Sequence, residues 1–162
     1  MTQPPDVQIR PLEPDELVEA WRLGRLAFGG PATQPPDLTA DHRPATRWGA
    51  FAAGRLLAKA TDLHHEQYWG AQVVPACGVA GVAVLPEHRR QGLTRRVLTA
   101  LLHGADERGA AVSNLFCTSA AVYRALGWEV TGFLREVELP TAALNRPSAD
   151  AVRARSGSGR DL

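Results

Sequence analysis

The sequence predicts an α/β domain whose sheet is covered on both faces, and three observations carry that expectation. Residues 72–85, QVVPACGVAGVAVL, are apolar almost throughout, as strands are in the middle of a sheet with layers above and below it. Residues 92–108 place Leu93, Val97, Leu98, Leu101, Leu102 and Ala105 on one helical face, with Arg95, Arg96, Asp106 and Glu107 elsewhere. Strand-like and helix-like segments follow the order β, α, β, β, β, α, β, α, β within 162 residues, the size of one ordinary domain.

Each element has a local reason. Residues 7–12 alternate enough for a first strand. Glu13, Pro14, Asp15 and Glu16 then open a helix, because proline suits the first turn and carboxylates suit its positive end. That helix runs through Leu17, Trp21 and Phe28 and stops at Gly29, Gly30 and Pro31. Residues 31–44 are rich in Pro, Thr and Asp without a period, a long loop that could serve an enzyme as a lid. Residues 47–53 and 56–68, divided by Gly54, form a hairpin. In the apolar run that follows, Pro75 predicts that pairing is interrupted or begins only after it. Gly109 ends the amphipathic helix. A buried strand is expected over residues 112–118, a short helix over 120–126 closed by Gly127, and one or two strands over 128–139.

Composition excludes several classes of function. Eighteen basic residues, of which Lys59 is the only lysine, face seventeen acidic ones, and a net charge of +1 gives no general attraction to nucleic acid or anionic membrane. The N-terminus carries no apolar core of a signal peptide, and no run of eighteen apolar residues occurs. Cys77 and Cys117 allow at most one bridge and have no metal-ligand spacing, so no metal is expected and the setting is a reducing, cytoplasmic one.

Chemistry concentrates in residues 82–94, VAVLPEHRRQGLT: a buried strand, a basic loop, a glycine and a helix N-terminus. A helix start leaves backbone N–H groups unpaired and positive, and Gly92 lets an anion approach them closely. Phosphate is the natural ligand, with Arg89, Arg90, Arg95 and Arg96 adding charge; the bland alternative is a solvated basic face. The loop is neither a Walker A sequence nor a dinucleotide fingerprint. Arg89, Arg90, Gln91, Gly92, Leu93 and Thr94 instead resemble the pyrophosphate loop of the Gcn5-related N-acetyltransferases (GNAT), [QR]xxGx[GA], with Thr94 where Gly or Ala is usual.

The resemblance extends to GVAGVAVLPEHRRQGLTRRVLTALL and TSAAVYRALGWEVTG, which are similar to the mycobacterial enhanced intracellular survival acetyltransferases and their actinobacterial relatives over residues 7–139. It implies the GNAT acyl-CoA N-acyltransferase fold, a mixed, mostly antiparallel sheet with helices on both faces. It also implies acetyl-CoA as co-substrate, held by backbone groups of Val82, Ala83 and Val84. In this reading the pyrophosphate lies on Arg90, Gln91, Gly92, Leu93, Thr94 and Arg95, with a further contact at Thr118 and Ser119. Tyr123 falls on the family's general acid, which would return a proton to the leaving thiolate; a tyrosine merely packing on the sheet is the alternative. The acceptor implied is an amine: an aminoglycoside, a polyamine or a protein lysine. Full-length relatives assemble as hexamers.

That family takes its general base from a C-terminal carboxylate beyond further domains. Candidates here are Glu66, His64 and His65, which also read as exposed hairpin residues. Glu87 and His88 read as loop and turn residues, and Cys117 as a small buried hydrophobe rather than a nucleophile. Trp48, Trp69 and Phe28 line an acceptor pocket or pack in the core. Residues 1–140 are expected to form the GNAT domain and 141–162 a linker or tail. Within that tail Val152, Arg155, Asp161 and Leu162 repeat Val7, Arg10, Glu16 and Leu17 at one offset, as the start of a second such domain would. The rival to an enzyme is a non-catalytic, acetyl-CoA-binding first domain of a longer protein.

Overall fold

The structure is a computed structural model that describes residues 6–38, 43–117 and 119–140. Contacts divide the chain into two units, Met1–Glu129 and Val130–Leu162. The first holds a five-stranded sheet in the order β1 (Gln8–Pro11), β2 (Ala45–Ala52), β3 (Arg55–Trp69), β4 (Gln72–Val84) and β5 (Val112–Asn114). Neighbours from β1 to β4 are antiparallel, and β5 joins β4 in parallel. The helices are α1 (Leu17–Phe28), α2 (Leu93–Glu107) and α3 (Ala120–Arg124). This is the mixed, mostly antiparallel α/β architecture expected from the sequence.

The two long hairpins share one device. β2 turns into β3 through Ala53 and Gly54, at φ 49° and 76°, and β3 into β4 through Gly70 and Ala71, at φ 53° and 64°. Two left-handed residues in a two-residue loop match the twist of the flanking strands. The first α-helix is prepared by a single 3-10 turn, Pro14–Glu16. There the Glu16 carboxylate accepts the Glu13 N–H at 2.8 Å and two bonds from Arg10 at 2.6 and 2.7 Å. Arg10 above all holds the Glu16 carboxyl below its usual range.

α1 and α2 cover opposite faces. Ala20 and Leu23 of α1 pack with Phe51, Leu56 and Ala83, whereas Leu93, Val97, Leu98, Leu101 and Ala105 of α2 pack with Ala50, Ala58, Ala60, Cys77 and Val79. Burying each large apolar side chain of α2 contributes about 1.5–3 kcal/mol, so this face fixes the helix on the sheet. Gly104 admits Trp48 beneath α2: a Cβ there would lie 2.5 Å from the indole.

Four expectations are corrected. Pairing is not interrupted at Pro75, which sits opposite Glu66 inside continuous β4. Its carbonyl accepts the Ala111 N–H at 2.9 Å, so the side of the strand where its N–H is missing faces away from β3. β5 ends at Asn114 rather than near Thr118, leaving Phe116 and Cys117 exposed, so Cys117 is not a buried hydrophobe. No strand forms over residues 128–139; Phe133 is 91% exposed and Val137 75%, because alternation makes a strand only where a ladder receives it. Arg96 turns from the basic loop to donate to the Val7 carbonyl at 2.6 Å. Residues 141–162, with the proposed repeat, lie outside the described residues. No helix among the described residues is long and apolar enough to cross a membrane.

Candidate active site

The site begins with a break in β4. Lys59 faces Ala83 but Thr61 faces Ala80, so β4 holds one residue more than β3 between these pairs. Gly81, at φ 57°, takes up the bulge. On the other edge β5 accompanies β4 only from Ala76 to Gly78. Beyond Gly78 and Asn114 the two parallel strands part, and the β4 segment that holds Val82, Ala83 and Val84 has no ladder with β5.

At the end of that segment Pro86–His88 makes a 3-10 turn, and Arg90 and Gly92 adopt left-handed conformations at φ 61° and 74°. α2 then starts, with the Arg96 N–H bonding the Gly92 carbonyl at 3.1 Å. The N–H groups of Leu93, Thr94 and Arg95 precede the first such bond, and glycine offers no side chain to cap them. A Cβ on Gly92 would meet no atom within 4 Å, so the glycine opens onto free space.

That space is a pocket of about 290 Å³. Val84, Arg89, Arg90, Gly92, Leu93, Thr94 and Arg95 line it on the strand, loop and helix side. Val122, Ala125 and Leu126 supply the opposite wall, one face of α3 and the turn after it. Seven of the residues singled out in the sequence thus meet around one cavity. His88, expected as a turn residue, also lines it; the α3 wall is not legible in the sequence, although Val122, Ala125 and Leu126 have the i, i+3, i+4 spacing of a helical face. A hollow of about 320 Å³ between α1 and the β2–β3 turn is larger, but the Glu19 carboxylate lines it, accepting the Leu56 N–H, and does not suit an anion.

Other expected residues stand around the pocket rather than in its lining. Val82 is half-buried and Ala83 buried in β4. Gln91 is exposed and folds back to the Glu87 carbonyl at 3.4 Å. Ser119 is the exposed residue before α3, and Thr118 lies outside the described residues. Tyr123, half-buried on α3, packs edge-on against Trp128 at 5.9 Å between ring centres. Burial, and next the nearby Cys117, push its hydroxyl above its usual range. No hydrogen bond among the described residues engages that hydroxyl.

The candidate bases are not gathered at the pocket. His64 Nε2 lies 3.0 Å from Thr46 Oγ1 and 3.5 Å from Asp62 Oδ2; His65 Nδ1 lies 3.1 Å from the Leu63 carbonyl; Glu66 is exposed. Glu87 pairs with Arg55 at 2.8 Å. Trp48 packs under α2, whereas Phe28 and Trp69 are exposed at the ends of α1 and β3, so these aromatics build no common pocket.

Known proteins agree with this architecture. An N-acetyltransferase of Streptomyces griseus, itself uncharacterized, is 29% identical over 170 residues, covering 96% of this chain and 40% of that protein. The chain therefore spans about two fifths of the length of the curated relatives it matches. A Trypanosoma brucei acetyltransferase superposes with a TM-score of 0.69 at 19% identity, over 83% of this chain and 100% of its own. A Clostridium acetobutylicum predicted acetyltransferase, solved with acetyl-CoA, reaches 0.66 at 16% identity, over 82% and 96%. Residues 8–131, from the first strand past the α3 wall of the pocket, match the acetyltransferase (GNAT) domain family, and the chain belongs to it.

Proposed function

We propose that this domain binds acetyl-CoA along the parted edge of β4 and transfers its acetyl group to an amine. The observation that carries the reading is the convergence of the open N-terminus of α2, the left-handed Gly92 and the three arginines Arg89, Arg90 and Arg95 on one pocket beside Val84. The N–H groups of Leu93, Thr94 and Arg95 hold the pyrophosphate, with the arginines as charge partners. Thr94 narrows the space but adds a hydroxyl donor. Backbone groups of Val82, Ala83 and Val84 hold and orient the acetyl-bearing arm, with Thr118 and Ser119 as a further contact, and an N–H on this edge can stabilise negative charge on a carbonyl oxygen.

The bound co-substrate supplies an activated thioester: the amine nitrogen forms a bond to the carbonyl carbon, the C–S bond breaks, and sulfur takes up a proton. The Tyr123 hydroxyl is the proton donor in this reading, and its raised pKa keeps it protonated at neutral pH. The amine gives its proton to solvent or to a base outside the pocket. Aminoglycosides, polyamines and protein lysines are the acceptors implied by the resemblance to the enhanced intracellular survival enzymes.

A second reading is binding without catalysis, favoured by the distance in the fold between the pocket and Glu66, His64 and His65. Thiol release from acetyl-CoA by the folded chain, over a panel of amines, decides between the two. Turnover supports the transferase. Calorimetric binding of acetyl-CoA without turnover on any amine supports the binding domain, and absence of binding removes both.

A further inference from the structure

On the α1 face of the sheet, a second pocket of about 180 Å³ has apolar walls from Leu17, Trp21 and Leu38 and a polar floor of Arg47, Lys59 and Thr61. It reaches the bulge in β4: a Cβ on Gly81 would lie 3.8 Å from Lys59 Nζ and 3.9 Å from Thr61 Oγ1. The pocket thus abuts the residue before Val82. Gly24 brings α1 down onto the lysine, since a Cβ there would come within 2.9 Å of Nζ.

Among the described residues the charges lining this pocket do not balance. Among the described residues neither Arg47 nor Lys59 pairs with a carboxylate, although the shorter-range ion pairs Arg10–Glu16, Arg55–Glu87 and Arg108–Asp62 show the fold supplying one elsewhere. Burial, and then Arg47, lower the pKa of the lysine, the signature of a cation short of counter-charge. Two cations enclosed together are costly unless an anion completes them, and a guanidinium can take both oxygens of a carboxylate or phosphate at once. The volume is below the roughly 300 Å³ at which pockets for drug-sized ligands begin, which suits one small acidic group and a short carbon skeleton.

We propose that Arg47 and Lys59 form an anion subsite for the acceptor, so that the preferred substrate is a small amine carrying a carboxylate or phosphate. Polyamines and aminoglycosides, as polycations, are repelled there. The inference rests on the acetyl-transfer reading and names its acceptor class.

The test compares matched amines: tyramine with free tyrosine, cadaverine with free lysine, and ethanolamine with phosphoethanolamine, the last pair separating phosphate from carboxylate. The anionic member of at least one pair should have a kcat/KM at least ten times higher. Arg47→Gln and Lys59→Met should each bring that ratio close to one without changing acetyl-CoA affinity, and Arg47→Lys should keep part of it. Equal use of both members, preference for the polycations, or a preference that survives both substitutions overturns the subsite. If no amine turns over, calorimetry with N-acetyltyrosine and N-acetyltyramine in the presence of CoA reads the subsite directly. Tighter binding of the acid, lost in both variants, supports it, and equal or absent binding overturns it. Failure to bind acetyl-CoA overturns the transfer reading separately, and circular dichroism of each variant checks the fold.

Discussion

Arg108, the residue that closes α2, donates to Asp62 Oδ2 at 2.9 Å, and that carboxylate is only 2% exposed in the middle of β3. The same guanidinium reaches the Ala76 carbonyl at 3.3 Å, so one side chain ties the end of the helix to β3 and β4. Asp62 Oδ1 and Arg108 Nε are buried without a partner, which leaves the pair dependent on its single close contact.

Breaking this pair should therefore cost more than an exposed ion pair would. Arg108→Met leaves a buried carboxylate facing His64 and the Cys77 thiol with no cation bonded to it, and we expect a loss of about 3 kcal/mol in urea unfolding, near the lower end for buried pairs because Arg108 keeps some exposure. Arg108→Met combined with Asp62→Leu should recover most of it. A single substitution costing under about 1 kcal/mol would place the pair with ordinary surface bridges.

His64 stands beside the pair and titrates in its own window. Burial first and Arg108 second lower its pKa below the usual 6.5, against the opposing pull of Asp62. Below pH 6.5 the unfolded chain binds a proton that the folded chain resists, so this contribution is complete above 6.5 and is lost as pH falls towards the folded value. Glu16, with a lowered carboxyl, loses its contribution only below its ordinary 4.5. Unfolding curves at pH 7.5 and pH 5 should differ for the wild type and differ less for His64→Asn; an unchanged difference would remove His64 as the cause.

The two cysteines should react in opposite ways. Burial, above all, pushes the Cys77 thiol up to about 12, whereas Cys117 is exposed. A maleimide at pH 7.5 should label one thiol per native chain and two in urea, and Cys117→Ser should abolish the native labelling. Rapid labelling of two native thiols would contradict the burial of Cys77.

What could be read from the sequence was local. α2 declared itself because Leu93, Val97, Leu98 and Leu101 repeat at helical spacing and Gly92 and Gly109 bracket them. The loop residues Arg89, Arg90, Gly92 and Thr94 were legible because the chemistry of a helix start lies in consecutive positions. The α3 wall was not, since no spacing within 120–126 tells which cavity it faces. Pro75 misled because the cost of its missing N–H depends on which side of the strand that position faces. Arg47 and Lys59 are twelve residues apart and meet only through the β2–β3 register, in which Thr46 faces Asp62 and Arg47 faces Thr61. Cys117 and residues 128–139 fall outside any strand for one reason: a side-chain pattern makes a strand only where a neighbouring ladder receives it.

Gly92 carries the cofactor prediction. Its φ of 74° disfavours any side chain by about 1–2 kcal/mol, and a Cβ there would meet no atom within 4 Å beside the pocket that Leu93, Thr94 and Arg95 also line. Gly92→Glu adds a carboxylate where a pyrophosphate is proposed to lie. Like charges brought together in this way cost several kcal/mol, equivalent to an affinity loss on the order of 100-fold or more. Calorimetry with acetyl-CoA measures it, and circular dichroism checks that the variant folds. Full affinity in a folded Gly92→Glu chain would move the pyrophosphate away from this loop.

Tyr123 separates transfer from binding. If its hydroxyl protonates the departing sulfur, Tyr123→Phe should lower kcat by about 100-fold or more while the affinity for acetyl-CoA stays within a factor of two or so. The packing against Trp128 keeps its ring, so stability should change little. The pH profile gives an independent sign: burial disfavours the tyrosinate, so the donor form persists to above the ordinary value of 10, and kcat should show no alkaline decline below that pH. A decline centred near pH 8, or a Tyr123→Phe chain with undiminished kcat, would assign the proton to another donor and return Tyr123 to the core of α3.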